Sequence, residues 1–128
     1  MNSQVSLILF PILTLWSRRA GAMDDLRRIF GAAMDSERAG HWIHKFQRGD
    51  FSELPPVLTL GAERMPGLWG GHSREKNRIY LSAECPPERL AEVLLEEVGH
   101  FLDRELCAEE TPGEEGARFA AAVLGITP

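Results

Sequence analysis

The stretch Pro86–Leu106 reads PPERLAEVLLEEVGHFLDREL, and the fold turns on it. Two consecutive prolines suit the first turn of a helix, where their missing N–H groups cost nothing and their fixed φ is already helical. At about 100° per residue, Leu90, Val93, Leu94, Val98, Phe101 and Leu102 gather on one broad side, while Glu92, Glu96, His100 and Asp103 gather on the other. The first side needs a core to cover it. Downstream, AEETPGEEGARFAAAVLGITP (108–128) supplies a Pro-Gly turn, acids for the first turn of a second helix, and an apolar side made of Ala117, Phe119, Ala120, Val123 and Leu124. Upstream, Arg78–Ser82 alternates and is rich in strand formers, and Val57–Leu60 reads as a short buried strand.

The polar side of the first helix admits two readings. It is a solvated face of the usual kind, or it is a site. Glu96 and His100 stand at i and i+4, the spacing at which an H-E-x-x-H helix offers two ligands to a zinc ion and the intervening Glu to its water. Here Glu96 occupies the first ligand position, Glu97 that of the general base and His100 that of the second ligand. The second helix then delivers Glu114 and Glu115 shortly after the first ends. A catalytic zinc site of this type takes two ligands from one helix, a third from a neighbouring element, and leaves one position open. Asp103 is placed to orient His100 or to replace one of the carboxylate ligands, and Gly99 to keep the helix surface clear.

Three runs carry a resemblance: IYLSAE (79–84), AEVLLEEVGHFLDREL (91–106) and TPGEEGARFAAAVLG (111–125). Together with Phe30-Gly31 and the GDFSELPP run at 49–56, they are similar to a zincin-like metallopeptidase domain of secreted bacterial and cyanobacterial proteins of the haemolysin-type (RTX) calcium-binding class. The segment Glu115-Gly116-Ala117-Arg118-Phe119-Ala120 also looks like the E-A-N-x-F-A segment of ImmA/IrrE-like metallopeptidases. The resemblance implies a peptidase acting on peptide or protein substrates, with Glu97 as catalytic base and Glu96, His100 and Glu115 as metal ligands. Asp103 and Glu114 stand by as supporting groups or alternative ligands. It further implies an edge strand beside the active helix that pairs with extended substrate, for which 78–82 is the candidate. The chain departs from the pattern in carrying Glu96 where zincins have His, and it has no G-G-x-G-x-D repeat. Two carboxylates and one imidazole form a harder donor set than the usual zinc triad, so manganese or iron are alternatives to zinc. An inactive zincin-like binding or processing module, and a secreted toxin or effector domain, are the competing functions.

The remaining sequence bounds these expectations. With 128 residues, 44% apolar and 26% charged, the chain is ordinary for one globular domain with a single core. A net charge of −5, with 14 scattered Lys and Arg, argues against a nucleic-acid surface. Residues 1–22 form a separate apolar segment ahead of a domain at 23–128. The run from about Val5 to Trp16, interrupted at Pro11, reads as a signal or short anchor, a buried extension, or sequence ahead of a true start at Met23. The first reading implies an extracellular protein, and membrane association only if 5–16 anchors it; the last implies a cytoplasmic one. From Asp24 to about Phe46 the spacing is helical, with a break near Asp35-Ser36 and a stop at Gly49. His41 and His44 lie three apart and read mainly as packing beside Trp42 and Phe46. MPGLWGGHS (65–73) reads as loop or irregular hairpin, with a packed Trp69 and an exposed His72. Cys85 and Cys107 flank the first helix, whose length holds them about 30 Å apart, too far for a disulfide. The expected fold is α+β, with an N-terminal helix or helices, a two- to three-stranded sheet, the active-site helix and a C-terminal helix.

Overall fold

A computed structural model describes residues 3–109 and 113–126. Of the expected Pro-Gly turn only Gly113 falls inside these limits. The chain is α+β: α1 (Ser3–Ser17), α2 (Ala22–Phe30), α3 (Ser36–Gln47), β1 (Val57–Leu60), β2 (Gly70–Ser73), β3 (Arg78–Ser82), α4 (Leu90–Leu106) and α5 (Glu115–Leu124).

The break at Asp35 has a clear physical cause. Its side chain accepts a hydrogen bond from the backbone N–H of Arg38 at 3.0 Å, capping the orphan donors at the start of α3. Its own N–H donates to the carbonyl of Leu106 at 2.8 Å, so one residue starts α3 and satisfies the end of α4. A 3-10 turn over Pro87–Arg89 leads into α4, whose six apolar-side residues are all buried, Leu94, Val98 and Leu102 completely. Trp42 of α3 meets Phe101 edge-on, with ring centroids 5.2 Å apart, and Trp16 of α1 meets Phe119 of α5 in the same way at 5.3 Å. α1 therefore belongs to the core: Val5, Leu9, Leu13 and Trp16 are buried in the same cluster as α4. Leu7 and Leu15 on its opposite side are exposed, and no described helix is long and apolar enough to cross a membrane. Cys85 and Cys107 are not joined in a disulfide.

The sheet corrects the expected edge. Its order is β1-β3-β2, with β1 parallel and β2 antiparallel to β3. The strand 78–82 is central, its backbone hydrogen-bonded on both sides, and has no edge to offer a substrate. The edge nearest α4 is β2, which lies inside the stretch expected to be loop; its register sets Gly70 opposite Leu81 and Ser73 opposite Arg78. The hairpin between β2 and β3 turns through Asn77 in the left-handed region at φ 53°, where Asn is one of the few side chains at ease.

Gly99 does different work from that expected. A methyl group added there would sit 2.8 Å from the Gly116 Cα and 3.0 Å from the Phe119 Cβ. The glycine lets α4 and α5 touch backbone to backbone, and that contact brings the start of α5 against the polar side of α4.

Candidate active site

A cavity of about 720 Å³ opens between α4 and the segment from Gly67 to Arg74. The floor is α4, which contributes Val93, Glu96, Glu97, His100, Asp103 and Arg104; β2 and the loop before it form the roof. Helical spacing accounts for the floor, since these positions fall on one side over roughly three turns. Four residues singled out from sequence, Glu96, Glu97, His100 and Asp103, thus share one cavity.

Their environments differ sharply. Glu97 is buried, 8% exposed, beneath β2. A methyl group added at Gly70 would lie 2.7 Å from the Val93 Cγ1 and 3.1 Å from the Glu97 Oε2, so glycine is what allows the strand to pass this close. Burial, and then the charge of Glu96, push the Glu97 carboxyl up to about 7. Removing water from around a carboxylate disfavours the charged form, and a like charge nearby adds to the cost. Glu96 is half-buried and is also raised, first by burial and then by Glu92. Asp103 is buried. His100 is exposed. A methyl group added at Gly116 would be 2.7 Å from the His100 Nε2 and 2.6 Å from the Glu96 carbonyl oxygen, so the imidazole lies against the first turn of α5.

Glu115, the first residue of α5, does not line the cavity. It is 3% exposed, and its Oε1 has no hydrogen-bond partner. Glu114 at the cap position is exposed, near enough for its charge to contribute to raising Glu96. Among the described residues, no three His, Cys, Asp or Glu side chains stand gathered as a metal-binding group. The donors nevertheless fit a divalent ion in kind, being carboxylates and an imidazole. The buried, unpartnered oxygen of Glu115, one residue before the glycine that touches His100, is the feature such an ion would satisfy.

The roof supplies residues that sequence reasoning assigned elsewhere. Trp69 is 41% exposed at the cavity mouth, with the Arg89 guanidinium 5.4 Å above its ring, rather than packed inside. His72 is half-buried rather than exposed; its ring stands edge-on to Phe101 at 6.1 Å, and its Nε2 is enclosed without a hydrogen-bond partner. Burial first, and then the neighbouring Arg104, His100 and Arg74, hold this imidazole below its ordinary range. The readable signal was Gly70-Gly71 between Trp69 and His72, since paired glycines beside bulky groups mark a close backbone approach. His41 and His44 are both exposed on α3, and the His41 Nε2 lies 3.6 Å from the Glu53 Oε1.

Comparison with known protein families, with curated proteins and with solved structures finds no match to this chain.

Proposed function

We propose that this chain is a metal-dependent peptidase of the zincin kind. One observation carries the reading: Glu96, Glu97 and His100, at i, i+1 and i+4 of one helix, face a single cavity beneath an edge strand, with Glu97 at its buried wall. Glu96, His100 and Glu115 would hold a divalent cation. Zinc, or manganese or iron in its place, would act as a Lewis acid that lowers the pKa of water toward 7. Glu97 takes the proton from the attacking water and returns it to the leaving amine, work for which a buried carboxylate at the cavity wall is suited. The free edge of β2 offers backbone N–H and carbonyl groups to an extended peptide, which would lie along α4 as an added strand.

A metal-free binding module is the second reading. It is favoured by the absence, among the described residues, of a ready-made ligand cluster. Metal analysis separates the two. After reconstitution with zinc, manganese or iron, the wild type should hold one ion per chain and His100→Ala should hold much less. Glu97→Gln should keep its ion and lose peptide hydrolysis by roughly a hundredfold or more. No ion bound in the wild type, together with unchanged activity in Glu97→Gln, would overturn the peptidase reading.

A further inference from the structure

The cavity carries both signs of charge. The carboxylates of Glu96, Glu97 and Asp103 line it along α4, with Arg104 beyond them on the helix and His72 and Arg74 on the roof. Arg27, Arg28, Arg38, Arg48 and Arg89 each face a carboxylate within the chain. Among the described residues Arg74 and Arg104 do not, and unlike the other arginines without such a partner they line this cavity. Arg104 donates to the neutral amide oxygen of Asn77 at 3.0 Å, which leaves most of its fork of donors unused. Arg74, exposed just beyond β2, has no hydrogen-bond or ion-pair partner among the described residues. Arg74 and Arg104 line the same cleft as His72, near enough for both charges to lower the affinity of that imidazole for a proton. Two guanidiniums that line the cleft without an ion-pair partner among the described residues, in a chain of net charge −5, form a binding feature for an anion of matching shape.

Helix geometry sets its distance from the chemistry. Arg104 stands one turn beyond His100 on α4, about 6 Å along the axis. An extended peptide alongside β2 advances about 3.3 Å per residue, so the arginines lie roughly two residues from the bond that would be cut. An acidic residue next to that bond would face Glu96 and Glu97 and be repelled, while one further along would meet the guanidiniums.

We propose that Arg74 and Arg104 select peptides bearing a carboxylate roughly two residues from the cleaved bond, whether an acidic side chain or the free C-terminus. This rests on the peptidase reading above. The test uses acetylated fluorogenic peptides of otherwise neutral sequence, in which a single Glu or Gln is moved stepwise along the chain and the C-terminus is free or amidated. With zinc-reconstituted wild type, Glu two residues from the cut should raise kcat/KM at least tenfold over Gln. If the C-terminal carboxylate is the recognised group, the same gain should appear for free over amidated ends at that position. The ratio should fall to within twofold in Arg74→Gln/Arg104→Gln, and partly recover in Arg104→Lys. Because Arg74 is exposed, Arg74→Gln alone should fold normally and still reduce the ratio.

Calorimetric binding of the same peptides to metal-free Glu97→Gln protein supplies a readout independent of turnover. The acidic peptide should bind at least fivefold more tightly than the neutral one, and the difference should shrink as salt rises. Carboxylate preference in binding without hydrolysis of any peptide would remove the peptidase reading and leave the selective cleft standing. Hydrolysis with no carboxylate preference, or a preference that survives in the folded double variant, would overturn the inference and leave the peptidase reading standing.

Discussion

Replacing Glu97 by glutamine should lessen the stability that this chain loses as the pH rises above 5. The folded state holds the carboxyl at about 7 against an ordinary 4.5, so between those values the native protein keeps a proton that the unfolded chain has released. Stability therefore falls as pH rises when the native state binds more protons. The contribution is fully present below 4.5 and is lost as the pH passes through 7. At ~1.4 kcal/mol per pKa unit, the charged form costs the fold at most about 3 kcal/mol, because water in the cavity screens part of it. The neutral amide of the Glu97→Gln variant would carry no charge to desolvate. Denaturant and thermal unfolding of both proteins in chelator at pH 5 and pH 8 measures the effect. Near pH 5 the two should agree within about 1 kcal/mol, whereas at pH 8 the variant should be ahead by about 2–3 kcal/mol, or roughly 6–10 °C in Tm for a domain of this size. A difference that is the same at both pH values, or a variant less stable at pH 8, would refute the argument that burial under β2 sets the proton affinity of Glu97.

Two further outcomes test the packing that builds the site. Gly99→Ala places a methyl against the Gly116 backbone at 2.8 Å, which a rigid helix cannot yield, so α4 and α5 must separate. A loss of about 1–3 kcal/mol in denaturant unfolding is expected despite the higher helix propensity of alanine, and an unchanged or raised midpoint would show that the contact is slack. Leu13→Ala empties a fully buried position on α1 and should cost about 2–5 kcal/mol by the same measurement; a loss below ~0.5 kcal/mol would mean that α1 is not part of the cooperative core.

Local features were legible because local physics decides them. Asp35 was readable as a break since a short acidic side chain caps a helix wherever it precedes one, and the apolar side of α4 was readable from its spacing alone. The strand at 70–73 was not. Its four residues, Gly-Gly-His-Ser, have little strand propensity, and β3, pairing through backbone groups, makes them a strand. The edge was accordingly assigned to the wrong strand, since strand order is a long-range property. Gly99 was placed in the site on its own helix, but its neighbour lies on α5.

The sequence by itself settled that a helix with one apolar side carries Glu96, Glu97 and His100 on adjoining positions, because a period of 3.6 residues fixes which side chains are neighbours on a helix. Only the tertiary structure decided that β2 passes over Glu97 closely enough to raise its pKa, that Glu115 is buried at the start of α5, and that Arg74, Arg104 and His72 line one cavity with Glu96 and Glu97. Burial and electrostatic environment depend on what covers a residue, and at each of these positions the cover comes from a segment distant in the chain.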